Sequence, residues 1–170
     1  MAAVPPPVTF RLPAGWRPQP AGATPGLDFV ALHETPDAGF TANITVALDV
    51  ATGDDAVEVM ADGAVERLAA TEQDVVVHNR AVLGHAPAPG LGQDVRLTTL
   101  VDGVPVELTQ VQVFLPAADV DVDGRLAVYS LTFTATSAQA PRLAPDFQAL
   151  VGSVQAVTGG SSGGSAPSGA

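Results

Sequence analysis

Apolar and polar residues alternate along most of this chain, and a period of two predicts β-strands. Segments with this period lie at 8–16, 27–34, 40–50, 74–83, 93–101, 104–115 and 125–135. Turn-forming residues separate them, as in the Pro-Asp-Ala-Gly sequence at 36–39 between the second and third segments. Strands joined by such short turns predict an antiparallel sheet.

The clearest turn signal is Asp102-Gly103, which predicts a two-residue hairpin between two of these strands. The turn fixes a register in which the facing pairs are Val101 and Val104, Thr99 and Val106, and Leu97 and Leu108. Beyond Gln110 the apolar phase shifts to the other set of alternate positions, namely Val111, Val113 and Leu115. Either a β-bulge or coverage of both sheet faces would account for this shift.

Two segments show a helical period instead. In 54–71 apolar residues recur three and four positions apart, and Asp55 and Glu58 have the spacing of a capping box. In 144–157 the apolar residues Phe147 and Leu150 share one face, and Pro145 suits the first turn. Each segment predicts an amphipathic helix with one side to bury.

The predicted order is β-β-β-α-β-β-β-β-α. Two amphipathic helices must bury their apolar stripes against the sheet, so the predicted fold class is α+β, an antiparallel sheet packed with two helices. Residues 8–157 form the predicted domain. Residues 1–7, with three consecutive prolines, are expected to be extended, and the Gly/Ser/Ala/Pro-rich residues 158–170 are expected to form a disordered tail.

Charge and composition narrow the function further. The net charge is −11 and every basic residue is an arginine, so the surface repels nucleic acids and anionic lipid headgroups. The absence of cysteine excludes disulfides, Cys-type zinc sites and a lipid-bearing cysteine. The sequence shows no signal peptide and no membrane-spanning apolar run, so the predicted location is cytoplasmic, without membrane insertion.

Three short motifs occur in an order that resembles the PsbP-like superfamily, closest to its bacterial DcrB-like and LpqN/LpqT-like branches. The first is FRLPAGW at 10–16, a strand that runs into a Pro-x-Gly-Trp turn, and the second is ANITV at 42–46, followed by the acidic-capped helix. The third is Phe133 followed by the closing helix with Phe147, Leu150 and Ser153. The resemblance covers about residues 8–157.

This resemblance implies a three-layer α/β/α sandwich without a common active site. It also implies that the protein is a binding module, an accessory subunit or a chaperone-like adaptor. LpqN/LpqT-like members are usually lipoproteins of the actinobacterial envelope. This chain departs from that pattern because it has neither a signal sequence nor a cysteine, which shifts the expectation towards a cytoplasmic adaptor.

The sharpest candidate for a metal site is Asp119-Val-Asp121-Val-Asp123-Gly124. Alternate acidic residues before a glycine resemble the first half of a calcium loop. The position of the final bidentate Glu is occupied by Ser130, and strands rather than helices are predicted on both sides. The favoured interpretation is an acidic hairpin loop, and no cofactor is predicted.

No combination of residues predicts catalysis. His33 and His78 lie in predicted strands and His85 lies near the Gly-rich loop, and nothing places the three together at metal-ligand spacing. The chain also has no Gly-x-Ser-x-Gly elbow. The Gly-rich segment 84–92 lacks the Gly-Lys-Ser/Thr ending of a phosphate loop. The chain is therefore predicted not to be an enzyme.

Two features are candidates for contact with another protein. Trp16 is interpreted first as a core anchor, and alternatively as an exposed contact beside the Pro-rich loop. Glu58, Asp62 and Glu66 recur every four residues on the polar helix face, which is either a solvated face or a docking site for an Arg-rich partner.

The functional hypothesis is a noncatalytic adaptor or chaperone-like accessory protein that binds another protein through the sheet or its hairpin edges, in a secretion or envelope system. The alternative is a carrier that holds a small apolar ligand or lipid between sheet and helix. The sequence names neither the partner nor the oligomeric state.

Overall fold

The computed structural model describes residues 8–20, 22, 24–84, 89–120 and 125–156. The elements are β1 (Val8–Thr9), β2 (Trp16–Pro18), β3 (Phe29–His33), β4 (Asn43–Thr52), α1 (Ala56–Thr71), β5 (Gln73–Leu83), β6 (Gly90–Val101), β7 (Val104–Val120), β8 (Arg125–Thr136), α2 (Ala140–Gly152) and β9 (Gln155–Ala156). Seven strands form one antiparallel sheet in the order β2-β3-β4-β8-β7-β6-β5, and β1 pairs with β9. The predicted segments 1–7 and 158–170 lie outside the described residues.

The predicted α+β class is confirmed, and the first predicted strand and the last predicted helix differ from the prediction. The first predicted strand is divided into β1 and β2, because the Pro-Ala-Gly turn at 13–15 interrupts it and Gly15 adopts a positive φ of 91°. Helix α2 begins at Ala140, four residues before the predicted start. Pro141 therefore occupies the first turn, and Pro145 lies inside the helix, where it cannot donate a backbone hydrogen bond. The predicted end of this helix is replaced by β9.

The predicted start of α1 is close to the observed one, but its capping box does not form. Asp55 is at the N-cap position, and its side chain makes no capping hydrogen bond. The backbone of Asp55 has φ −102° and ψ 18°. An N-cap residue normally has an extended backbone, which lets its side chain accept a hydrogen bond from the first turn of the helix.

The hairpin prediction is confirmed residue by residue. Asp102 and Gly103 have φ of 50° and 79°, as a type I′ turn requires. The pairs Val101–Val104, Thr99–Val106 and Leu97–Leu108 are those observed. The change of phase beyond Gln110 is not a bulge, because β7 pairs regularly with β6 as far as Phe114 and with β8 as far as Pro116. Both faces of β7 are covered there.

The two helices cover opposite faces of the sheet. On one face α2 buries Leu143, Phe147 and Leu150 against β4, β8 and neighbouring strands. On the other face α1 packs on β4, β5, β6 and β7, where Ala61 and Ala64 are buried. The architecture is thus an α/β/α sandwich, and part of the sheet beside α1 is left open.

The three motifs of the sequence meet on the face covered by α2. The Trp16 indole N–H donates to Asp146 Oδ2 at 3.0 Å, and the Arg11 backbone N–H donates to Ser153 Oγ at 2.7 Å. Phe133 of β8 stacks on Phe147 of α2 with ring centroids 5.7 Å apart. The motif residues therefore tie the start of the chain and the sheet to the closing helix.

Replacing Trp16 by Phe should lower the free energy of unfolding by about 1–3 kcal/mol, because the charged acceptor Asp146 loses its donor. Asp146→Ala should cost a similar amount, and the double variant should cost less than the sum. Chemical denaturation of the four proteins measures this coupling. Additive losses would show that the bond contributes nothing.

Tyr129 of β8 gives a second test of the core. The pKa of the Tyr129 hydroxyl is raised above its ordinary value of 10.0. The larger cause is burial of the side chain, and the smaller one is the negative charge of Asp28. The folded protein thus holds this proton more tightly than the unfolded chain. The resulting stabilisation is complete below pH 10 and is lost as the pH rises through the higher folded pKa.

We therefore expect the phenolate absorbance of the folded protein to appear at higher pH than that of the denatured chain. The signal belongs to Tyr129 alone, because the chain has one tyrosine and no cysteine. Equal midpoints in the folded and denatured protein would contradict the prediction.

Candidate functional site

The open part of the sheet beside α1 forms a groove of about 610 Å³. Helix α1 supplies one wall, with Ala64, Arg67, Leu68 and Thr71, and the loop before β3 supplies Gly26 and Leu27. Strands β4, β8 and β7 supply the floor, with Thr45, Ala47, Asp49, Ser130, Thr132, Gln110, Gln112 and Phe114. We name this cavity the α1 groove. Its volume falls within the range of small-ligand sites.

The floor of the α1 groove is polar although it lies in the middle of the sheet. Strand pairing places Thr45 opposite Thr132 and Thr132 opposite Gln112, so three neighbouring strands present polar side chains in one row. The alternate residues of the same strands, such as Leu131 and Phe133, are buried under α2. The polar character therefore belongs to one face only.

A chain of hydrogen bonds crosses this face from β5 to β8. Arg80 Nε donates to Gln93 Oε1 at 2.9 Å, and Gln93 Nε2 donates to Gln112 Oε1 at 2.6 Å. Gln112 Nε2 then donates to Gln110 Oε1 at 2.5 Å, and Gln110 Nε2 to Thr134 Oγ1 at 3.0 Å. We name it the glutamine chain. Because Gln93 and Gln112 are only 2% and 4% exposed, these bonds satisfy amides that would otherwise be buried without partners.

The glutamine chain also fixes α1 on the sheet. Gln93 Nε2 donates to the backbone oxygen of Ala61 at 3.0 Å, and Arg80 forms an ion pair with Asp62 at 2.8 Å. The wall and the floor of the α1 groove are thus held together by side chains of β5 and β6. A groove fixed in this way is preorganised for binding.

The α1 groove has two ionisable groups in its lining. Its ionisable lining residues are Asp49 and Arg67, and none of its described lining residues is a histidine, so its hydroxyls have no imidazole base beside them. Within the described ranges, no group of three or more His, Asp or Glu side chains is arranged to hold a metal ion. The arrangement can bind a ligand through hydrogen bonds and two charges.

The three aspartates considered as candidate calcium ligands lie in or beside a segment that the structure does not describe. Asp121 and Asp123 are outside the described residues, and Asp119 is described only as part of the β7 backbone. Strands β7 and β8 flank this segment and pair at Val120 and Leu126, as the hairpin interpretation predicted. Calcium binding by this loop, the less favoured of the two interpretations, stays untested.

His33 and His78, the two histidines that the structure describes, do not come together. His33 lies on β3, where its ring is 5.0 Å from Trp16 and its Nδ1 accepts a hydrogen bond from the Thr35 backbone N–H at 3.2 Å. His78 is exposed on β5 at the opposite side of the sheet. His85 and the middle of the Gly-rich segment 84–92 lie outside the described residues.

Trp16 is a core residue. It is 5% exposed and packs edge-on against Phe133 at 6.2 Å, which agrees with the core-anchor interpretation. The alternative of an exposed aromatic contact does not describe this side chain.

The acidic helix residues Glu58, Asp62 and Glu66 are exposed. Asp62 is the member of this set that pairs with a basic side chain, that of Arg80. Part of the predicted solvated face therefore connects α1 to β5, and docking of an Arg-rich partner there is untested.

Strand β5 is a second candidate site because it forms one edge of the sheet. Its 11 residues pair with β6 alone among the described strands, and Val76, Val77 and Val82 are 59%, 37% and 68% exposed. The other edge is β2, which has three residues and ends with Pro18, and such short edges resist pairing. The two edges thus differ in their capacity to accept another strand.

Comparison with known proteins places the fold. No family model and no curated protein sequence matches the chain. The structure of LpqN, which is involved in cell envelope biogenesis of Mycobacterium tuberculosis, is similar with a TM-score of 0.61 and 15% identity, over 88% of this chain and 83% of that one. Cyanobacterial PsbP from Synechocystis is similar with a TM-score of 0.56 and 12% identity, over 88% and 86%.

A protein of unknown function from Pseudomonas aeruginosa is also similar, with a TM-score of 0.50 and 18% identity over 70% of this chain and 75% of that one. These likenesses show that the chain has a PsbP-like fold, as its short motifs predicted. None of these three structures is named as DcrB-like, so the likeness to that branch stays a prediction. In the described part of the chain, neither helix is long and apolar enough to cross a membrane.

Sequence reasoning did not identify the α1 groove or the glutamine chain. A signal was nevertheless present, since Gln110 and Gln112 continue the inward phase of Leu108 with polar residues. Gln93 repeats this pattern on β6. Amides in the buried phase of two adjacent strands indicate a polar network, but only the pairing of the strands shows that they touch.

Gln112→Leu should lower the free energy of unfolding by about 1–3 kcal/mol, because Gln93 Nε2 loses an acceptor and Gln110 Oε1 loses its donor. Gln148→Leu, at an exposed position of α2, is the matched control and should change stability little. Thermal or chemical denaturation measures both. A Gln112→Leu protein as stable as the control would refute a structural role of the glutamine chain.

Proposed function

We propose that this protein is a noncatalytic accessory module that binds another polypeptide by adding a strand to β5. The observation that carries the proposal is the long open edge of β5, with valines exposed on it. An edge strand offers unpaired backbone N–H and C=O groups to an extended segment of a partner. The exposed valines would pack against side chains of the added strand.

The best-formed part of this edge is residues 79–83. Register shifts interrupt β5 between Gln73 and Val76 and between Val77 and Asn79, whereas residues 79–83 pair regularly with 90–94. Val82, the most exposed of the large apolar residues described, lies in this regular part. Bulges blunt the first half of the edge, so the second half is the part suited to a partner strand.

An accessory role also agrees with the fold neighbours. LpqN is described as involved in cell envelope biogenesis, and we extend an envelope or secretion setting to this chain as part of the proposal. The cytoplasmic location expected from the sequence is part of the same proposal. The alternative of an apolar-ligand carrier has less support, because hydroxyl and amide groups line the α1 groove.

Val82→Glu tests the proposal. A charge at this position would be partly desolvated against the side chains of an added strand, so capture of the partner from a lysate of the source organism should fall about tenfold or more. Val59→Glu is the matched control, because Val59 is 58% exposed on α1 and the substitution adds the same charge. Quantitative mass spectrometry of the captured proteins compares the variants with the parent chain.

Hydrogen exchange on the purified complex supplies the second measurement. Amides of residues 79–83 should exchange more slowly in the complex than in the free protein. Equal capture by both variants, or unchanged exchange in β5, would refute the proposed edge.

A further inference from the structure

The α1 groove holds two opposite charges that have no partner among the described residues. Arg67 projects from α1 and Asp49 from β4, and neither forms an ion pair or side-chain hydrogen bond within that part of the chain. The guanidinium of Arg67 lies back over Gly63, where a Cβ added to the glycine would be 3.4 Å from Nη1. The glycine thus leaves room for Arg67 against the helix.

The hydroxyls on the floor are also available to a ligand. The side chains of Thr45, Ser130 and Thr132 form no hydrogen bond with the part of the chain that the structure describes. Gln110 and Gln112, by contrast, are engaged in the glutamine chain. The floor therefore combines fixed amides with hydroxyls that can donate or accept.

These groups select among kinds of ligand. An apolar ligand would leave the hydroxyls unpaired as it displaced water, which is unfavourable. A simple anion would meet the charge of Asp49, and a simple cation would meet that of Arg67. A ligand with a carboxylate for Arg67, an ammonium group for Asp49 and polar atoms between them satisfies every group.

We propose that the α1 groove binds a short zwitterionic peptide, with its carboxylate on Arg67 and its ammonium group on Asp49. The amides of such a peptide would bond with the hydroxyls of Thr45, Ser130 and Thr132. This site is separate from β5 and does not depend on the proposed strand addition. A free amino acid offers the same two charges on a shorter frame, and the volume of about 610 Å³ favours the peptide.

Triglycine is the first probe, titrated into the isotope-labelled full chain and followed by NMR chemical shifts. N-acetyl-triglycine lacks the ammonium group and triglycinamide lacks the carboxylate. The affinity of each should be lower than that of triglycine by about tenfold or more, because a hydrogen bond to a charged group is lost. Glycine itself should bind more weakly than triglycine, and equal binding of the two would overturn the choice of a peptide over a free amino acid.

Two variants assign the charges. Arg67→Gln should weaken triglycine binding by about tenfold and abolish the difference between triglycine and triglycinamide. Asp49→Asn should also weaken triglycine binding by about tenfold, and it should abolish the difference between triglycine and N-acetyl-triglycine. Arg142→Gln and Glu107→Gln are the controls, because they change the net charge equally at exposed positions outside the groove lining and should leave all affinities unchanged.

Several results would overturn the inference. Equal affinities for the three triglycine forms would do so, and so would chemical-shift changes confined to residues outside the α1 groove. A third such result is the absence of chemical-shift changes up to about 10 mM peptide, a concentration ten times the Kd of a weak ~1 mM site. Equal effects of Arg67→Gln and Arg142→Gln would also overturn it. Val82→Glu should not alter triglycine binding, so failure here is distinguishable from failure of the β5 proposal.

Discussion

Strands β7 and β8 are buried on both faces, and the rest of the architecture depends on this burial. On β7, Val113 faces α2, while Phe114 packs with Val57 and Ala61 of α1 on the opposite face. On β8, Leu131 and Phe133 lie under α2 while Val128 packs with the α1 cluster. Two central strands that bury apolar side chains on both faces require a layer on each side, and the two helices provide it.

The placement of α1 determines where a ligand can approach the sheet. Although α1 contacts β4, β5, β6 and β7, it leaves a strip of the sheet open over β4, β8 and β7. That strip is lined by hydroxyls and amides and forms the α1 groove. The strand order leaves β5 as a long edge and β2 as a short one.

The glutamine chain links these two regions. It begins at Arg80 on β5, passes beneath α1 through Gln93 and Gln112, and ends at Thr134 on β8. Arg80 also pairs with Asp62, so one β5 side chain contacts both the helix and the chain of amides. A strand added to β5 would lie beside the first member of this network. The fold neighbours share the PsbP-like architecture, and what distinguishes this chain is the set of side chains it places on that frame.

The sequence by itself determined the elements and most of the fold. The period of two identified the strands, Asp102-Gly103 fixed a register that the structure reproduces, and the two amphipathic segments required an α+β sandwich. Those features depend on neighbouring residues, so they can be recognised locally. The start of α2 was misjudged because Pro145 was placed in the first turn, a position that Pro141 occupies.

Only the tertiary structure decided which distant residues meet. Asp49 and Arg67 line one groove although they come from a strand and a helix, and Gln93 touches Gln112 because β6 and β7 pair in one particular register. The same pairing resolved the phase change after Gln110 as coverage of both faces. Such contacts follow from strand order and helix placement, which are set by burial over the whole molecule and by no local pattern of residues.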